Sequence, residues 1–242
     1  MDKVYHGDCL KIMPELESQS IDLILSDLPY GQTNCSWDKV IPFEPLWQEY
    51  KRLIKPKGAI VLTASQPFTS VLVMSNIGNF KYSWVWDKRL GSGHLNTPHR
   101  PLKRHEDILV FSFDTPKYYP VMREGELRKK SHKGKNSQCY GKQTKEVKFY
   151  TEYHPTSIIE ATSANQTKKL HPTQKPVYLF EYLIKTYTTE NEVVLDNCAG
   201  SGTTAIACLN TNRKYILIEE KKKYIDVINR RITEHQQQLS LF

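Results

Sequence analysis

Asp27-Leu28-Pro29-Tyr30 closes the apolar run Ile21-Asp22-Leu23-Ile24-Leu25-Ser26 and sets three different groups at one strand tip. The Asp27 carboxylate and a backbone carbonyl restrained by Pro29 can accept both hydrogens of an exocyclic amine. The Tyr30 ring offers a face for stacking. Together they suit a flat, amino-bearing heterocycle such as a nucleobase. Asp and Pro after a strand otherwise make only a turn, so the tetrapeptide gains its weight from a second motif, Asp196 to Thr204.

In that motif Glu192-Val193-Val194-Leu195 reads as a buried strand ending in Asp196. Gly200-Ser201-Gly202 then turns into a helix beginning near Thr203. Glycines there let backbone approach a ligand, and the helix start favours negative charge. The next strand, Tyr215-Ile216-Leu217-Ile218, ends in Glu219. An acidic residue one strand after a glycine turn is the arrangement that grips ribose hydroxyls. No Lys follows Gly202, so a triphosphate would go unbalanced, and the third glycine of a dinucleotide loop is missing. A ligand with ribose and adenine but no phosphate fits best, which describes S-adenosylmethionine.

These tips need strands and helices to carry them. Strand-like segments at Val4–His6, Ile21–Ser26, Ala59–Thr63, Tyr82–Trp86 and Ile108–Phe113 alternate with helical stretches at Cys9–Leu16, Phe43–Ile54 and Pro67–Ser75. The breaker Lys55-Pro56-Lys57-Gly58 stops the second helix. From Asp114 to about Lys169 the aliphatic periodicity fades, as in an inserted module or long loops. A helix over Val177–Tyr187, the strand 192–196, a helix from Thr203 to Asn210, a strand Lys214–Ile218 and a helix Lys222–Gln236 follow. The alternation predicts a parallel α/β sheet, and the tail from Gln236 is expected to fray.

At 242 residues the chain fits one sizeable domain, with room for a smaller insertion, and 39% hydrophobic residues suffice for a core. A formal charge of +8 points to a polyanionic partner, most simply nucleic acid. Five cysteines without a C-x-x-C pair argue against a disulfide framework and a zinc site. His6 and His171 lack metal-ligand spacing, so no metal is expected. With no signal-peptide stretch at Met1–His6 and no span-length apolar run, the expectation is a cytoplasmic protein without a membrane partner.

With both motifs in view, the chain resembles the amino-group DNA methyltransferases, and within them the branch in which the catalytic motif precedes the cofactor motif. The resemblance covers Gly7-Asp8, the D-L-P-Y tetrapeptide, His105-Glu106-Asp107-Ile108-Leu109-Val110-Phe111, His171-Pro172-Thr173-Gln174-Lys175-Pro176 and the glycine loop. It implies a Rossmann-like methyltransferase sheet in circularly permuted order. Residues 1–113 would form the catalytic half, 114–169 the target-recognition region and 170–242 the cofactor half. Asp8 matches the contact to the cofactor adenine and Glu219 the ribose ligand. Asp196, Cys198, Gly200, Ser201, Gly202, Thr203 and Thr204 match the loop around its methionine part, and Thr173, Gln174 and Lys175 the pocket's outer wall. Two departures stand out: Leu28 replaces a usual second proline, and Asn197-Cys198 follow Asp196 where the family often has D-P-F.

The resemblance implies methyl transfer from S-adenosylmethionine to the 6-amino group of adenine in DNA, with Asp27, Pro29 and Tyr30 catalytic. Cytosine-specific relatives often carry Ser at position 27, so Asp27 favours adenine. A cytosine 4-amino or RNA methyltransferase is the enzymatic alternative, and a binding module with a decayed site the non-enzymatic one. No cysteine follows a proline, the context expected of a nucleophile attacking cytosine carbon-5. The stretch Arg89–Arg104, with Arg89, His94, Asn96, Arg100, Lys103 and Arg104 around Gly91-Ser92-Gly93, suits a glycine-hinged loop on DNA phosphates. Lys129 to Lys148, interleaved with Tyr140 and Phe149, suits a surface tracking the backbone. A solvated loop would read the same way in both places. A homodimer and a partner restriction nuclease are both compatible with the family.

Overall fold

The computed structural model describes residues 2–35, 38–132, 146–162 and 174–239. The chain divides into two compact units, one formed by 1–119 with 157–242 and the other by 120–156.

In the larger unit β1 (Lys3–His6) leads through α1 (Cys9–Ile12) and a short 3-10 turn to β2 (Ile21–Ser26). Then come α2 (Phe43–Leu53), β3 (Ile54–Ala64), α3 (Phe68–Ser75), β4 (Phe80–Ser92) and β5 (Lys103–Phe111). The smaller unit holds β6 (Arg123–His132) and β7 (Glu146–Tyr153), an antiparallel two-stranded ribbon. The chain returns with β8 (Ile158–Glu160), α4 (Val177–Tyr187), β9 (Val193–Asp196), α5 (Thr203–Asn210), β10 (Lys214–Glu219) and α6 (Lys222–Leu239).

Eight strands form one sheet in the order β1-β10-β9-β2-β3-β5-β4-β8. β9, late in the chain, pairs in parallel with β2, close to its start. Every residue of β2 is buried, as a strand covered on both faces requires. Leu23 and Leu25 face one layer with Leu183, Ile184 and Tyr187 of α4 and Ile228 of α6. Ile24 faces the other with Leu46, Trp47, Tyr50 and Leu53 of α2. Period-two alternation in the strand against helical stripes places a core on each side. Each fully buried aliphatic side chain there stabilises by about 1.5–3 kcal/mol.

Four sequence expectations shift. The sheet is mixed rather than parallel, because β5 runs antiparallel to both β3 and β4. The breaker ends α2 at Leu53 yet lies within β3. Ile21 pairs with Ile54 and Leu23 with Ala59, so Lys55–Gly58 bulge out of the ladder, and a bulge tolerates a proline. The basic stretch 89–104 is a loop only from 93 to 102. Ser92 pairs with Lys103, which puts Arg89, Lys103 and Arg104 in strands. The aperiodic region is not all loop either, since it carries β6, β7 and β8, and β8 joins the main sheet beside β4. Among the described residues no helix is long and apolar enough to cross a membrane.

Candidate active site

β2 and β9 are adjacent and parallel, so their carboxyl ends emerge side by side. Asp27 and Asp196, distant in sequence, therefore open onto one cleft of about 660 Å³. Ser26 ties the tips together, its hydroxyl donating to Asp196 Oδ1 at 3.0 Å. Crevices beyond the carboxyl ends of such strands are where open α/β sheets take ligands. Asp8, Leu28, Pro29, Tyr30, Gln174, Lys175, Cys198, Gly200, Ser201, Thr203 and Glu219 line the same cleft. Gly202 and Thr204 sit behind that wall, at the start of α5.

Asp27 has both carboxylate oxygens engaged. Tyr30 Oη donates to Oδ1 at 2.8 Å, and the Thr63 hydroxyl donates to the same oxygen. Lys175 Nζ donates to Oδ2 at 2.7 Å. Lys175 is buried and also lies 3.3 Å from Glu106, whose other oxygen pairs with Lys88. Burial opposes the Lys175 charge, but Asp27 and Glu106 outweigh it and hold the ammonium above the usual lysine range. Burial likewise pushes Glu106 up, while Lys175 and Lys88 prevail and keep it below the usual carboxylate range. Tyr30 stacks on Phe68 with ring centroids 5.1 Å apart and planes at 23°. The Lys175 ammonium lies 5.7 Å from the centroid of the Tyr30 ring and 5.9 Å from that of Trp86.

The glycine loop is held by its own acids. Asp196 Oδ1 also accepts the Cys198 N–H at 3.1 Å, and Oδ2 accepts from the Thr204 hydroxyl. Glu219 accepts the N–H groups of Gly200 and Lys221, each at 2.8 Å. Burial raises both carboxyls, Asp196 to about 6. Gly202 adopts φ +78°, and a Cβ there would come within 2.9 Å of Ile228, so the turn into α5 requires glycine. Ser201 donates to Gln174 Oε1 at 3.2 Å, and Arg231 of α6 donates to the Ser201 carbonyl at 2.6 Å. Asp8 caps α1 through the Leu10 N–H at 3.0 Å. The unusual Asn197 is held from below: buried Tyr50 donates to its Oδ1 at 2.6 Å, and its own amide meets Cys198 Sγ at 3.6 Å.

Asp196 yields a pH prediction. Its folded value of about 6 exceeds the ordinary 3.8, so the folded state binds a proton that the unfolded chain has released. Its ionisation therefore costs stability increasingly from pH 3.8 to about 6 and constantly above. Asp196→Asn, isosteric and uncharged, should raise the melting temperature of the ligand-free protein. The gain should be absent near pH 3.5, grow through that window and level off above it. Thermal melts across the range check this, and a pH-independent difference would contradict it.

Not every expected residue reaches the cleft. Thr173 and His171 lie outside the described residues. Arg89 pairs with Glu160, and Arg104 makes two 2.7 Å contacts to Asp87. Lys103 lines the cleft, its pKa lowered by burial, while His94, Asn96 and Arg100 are exposed on the β4–β5 loop. Sequence reasoning missed Thr63, Lys88 and Ser26 and left Glu106 without a role. Thr63 ends an ordinary apolar strand, so nothing local marked it; the His105-Glu106-Asp107 triplet was the one available signal. Among the described residues no cluster suits a metal ion.

Known proteins resemble this chain in sequence and in fold. The type II methyltransferase M.HpaI of Haemophilus parainfluenzae is 30% identical over 239 residues, covering 93% of this chain and 72% of that protein. The crystal structure of the M1.HpyAVI–SAM complex superposes with a TM-score of 0.65 at 25% identity, covering 96% of this chain and all of that one. The cytosine-N4-specific PvuII DNA methyltransferase shares the fold at a TM-score of 0.68 and 16% identity, over 97% and 91% of the two chains. A family model described as DNA methylase (N6_N4_Mtase) matches residues 21–230, and the chain therefore belongs to that family of amino-group DNA methylases.

Proposed function

We propose that this protein transfers a methyl group from S-adenosylmethionine to the 6-amino group of adenine in DNA, as a member of the branch whose catalytic motif precedes its cofactor motif. One observation carries the reading: the amine-accepting tip at Asp27 and the glycine loop at Asp196 line a single cleft and are joined through Ser26.

The cleft's chemistry fits the cofactor. Asp8, Asp196 and Glu219 make its loop side acidic, and two of them have raised pKa values that a cationic ligand would relieve. A phosphate-bearing ligand would meet repulsion there instead. Glu219 and Asp8 would hold the nucleoside, Asp196, Cys198 and Gly200–Thr204 the amino-acid part, and Gln174 and Lys175 the outer wall. When bound, S-adenosylmethionine supplies an electrophilic methyl group on a positively charged sulfur; M1.HpyAVI is solved with SAM.

The remaining chemistry belongs to the chain. An aromatic amine is a weak nucleophile because its lone pair is delocalised into the ring. Asp27 accepts one amine hydrogen and the Leu28 or Pro29 carbonyl the other, which favours tetrahedral nitrogen and localises the pair. Tyr30 stacks on the extruded base, since a paired base cannot reach a deep pocket. The proton lost from nitrogen passes to Asp27, and no covalent enzyme intermediate is needed.

His94, Asn96, Arg100 and Lys103 would meet DNA near the cleft, with Arg89 and Arg104 bracing the strands beneath. Target recognition is assigned to the 114–169 region. Its described core is the β6–β7 ribbon, and a two-stranded ribbon fits the major groove. There Lys129 lies over the Phe149 ring and Arg128 over that of Tyr153, at 5.9 and 5.6 Å from the centroids. Arg128→Ala and Lys129→Ala should each weaken DNA binding across sequences and lower the salt dependence by about one counterion. Anisotropy titrations at several salt concentrations test that; unchanged slopes would place DNA elsewhere. A homodimer and a partner nuclease remain expectations of the family, to be read by sedimentation and by co-purification.

The deciding experiment expresses the chain in a methylation-deficient host, maps modified bases and identifies the nucleoside. N6-methyladenine at a short fixed sequence is expected. N4-methylcytosine would shift the substrate, and DNA left unmodified, with labelled-methyl transfer absent on DNA and RNA, would overturn the reading.

A further inference from the structure

β4 and β5 form a hairpin arm rooted in the cleft. Trp86 and Lys88 from one strand and Lys103 and Glu106 from the other line its wall, and the ladder closes at Ser92 with Lys103. The strands press together at Gly91, where a Cβ would come within 2.8 Å of Leu102. Beyond lies a tip ordered by its own hydrogen bonds. Asn96 N–H donates to the Gly93 carbonyl at 2.9 Å, the Thr97 hydroxyl to the His94 carbonyl at 2.9 Å, and the His99 and Arg100 N–H groups to the Asn96 carbonyl at 3.0 Å. Gly93, at φ +91°, starts the turn.

In the middle of the short turn His94–Asn96 of this tip stands Leu95, 96% exposed, the highest value among the exposed large apolar side chains of the described residues. A single exposed leucine is unremarkable by itself. Here it lies in a hydrogen-bonded turn that also carries His94, Asn96, His99 and Arg100, all exposed. An exposed apolar side chain sharing one turn with polar residues and the Arg100 cation matches a partner that is apolar within and anionic outside. Stacked bases between phosphate chains have that chemistry, and apolar wedges entering base steps unstack and kink duplexes.

We propose that Leu95 is a positioning residue that enters the base stack at the target step and holds open the gap left by the departing base, while Arg100 and its neighbours contact the flanking phosphates. The inference rests on the base-extruding reading above. It is tested with the mapped target sequence in two duplexes, one fully paired and one with the target base opposite an abasic site, which is already loosely held.

On the paired duplex Leu95→Ala should slow single-turnover methylation by on the order of tenfold or more, the cost of unstacking a base unaided. On the abasic duplex its rate should approach wild type. Leu95→Phe, which keeps a wedge, should retain most activity on both. An undiminished rate of Leu95→Ala on paired DNA would overturn the inference, as would an equal loss on both duplexes. Equal loss with a shift in sedimentation would assign Leu95 to a contact between copies of the chain. Wild-type protein inert on both duplexes would instead overturn the methylation reading, and this inference with it.

Discussion

Asp27→Ala should reduce methyl transfer by roughly a thousandfold, the scale of losing a group that stabilises transition-state charge in a dry site. The amine nitrogen gains positive charge as its new bond forms, and Asp27 is the anion proposed to face it. Calorimetry should find cofactor affinity retained, because the glycine loop takes its hydrogen bonds from Asp196 and Glu219, not from Asp27. Alanine also strips a partner from the Tyr30 hydroxyl, the Thr63 hydroxyl and Lys175. Asp27→Asn separates the two effects: it keeps the shape and one acceptor oxygen but removes the charge. Both variants should be severely impaired, the asparagine variant with the better-preserved melting temperature. Loss of cofactor binding in either would move Asp27 out of the amine-accepting role.

Lys175→Met is expected to damage stability and turnover together. The ammonium is the cation between two carboxylates, 2.7 Å from Asp27 and 3.3 Å from Glu106, with its side chain 7% exposed. Removing one partner of a buried ion pair costs roughly 3–5 kcal/mol, since the charge left behind is poorly compensated. Lys88 still pairs with Glu106, so the main loss falls on Asp27.

The pH dependence gives this prediction its sign. In the wild type Glu106 sits below its ordinary 4.5, so its stabilisation is present above that pH and fades as pH falls through the depressed value. Without Lys175 only Lys88 opposes the effect of burial, so the carboxyl rises from its depressed value and the stabilisation it gives above that pH is reduced. The melting-temperature deficit of Lys175→Met should thus be largest at neutral pH and shrink in acid. A deficit constant from pH 4 to 8 would mean that packing of the lysine stem, not its charge, holds the site. Turnover should fall even where the variant is fully folded, because Asp27 would lose the donor that orients its second oxygen.

Lys175 shows what a linear reading passes over. In sequence the segment Thr173-Gln174-Lys175 matches the cofactor's outer wall, and Gln174 does touch Ser201. The lysine's hydrogen bond to Asp27 spans 148 positions. A buried cation is chosen by whichever acids the fold brings near it, and no local pattern records that choice. Glu106, Thr63 and Tyr50 escaped for the same reason. Asn197, a departure from the family pattern in sequence, is held by Tyr50 beneath it.

What was legible along the chain are the features whose signal is contiguous. The helices Val177–Tyr187 and Thr203–Asn210 fall where periodicity and the glycine turn put them. So do β2 and β9, because a strand covered on both faces is mostly apolar and an acid at its carboxyl end opens onto the cleft. Pairing direction was not legible: β5 runs against β3 and β4, and an apolar run looks alike in either orientation. Nor could the faded periodicity of 114–169 reveal an exposed ribbon, since a strand with little to bury has no core side to write into its sequence. Sequence alone thus determined the reactive groups and the elements bearing them. Tertiary structure decided which of them meet, because hydrogen bonds and ion pairs form between neighbours in space, and those neighbours come from opposite ends of the chain.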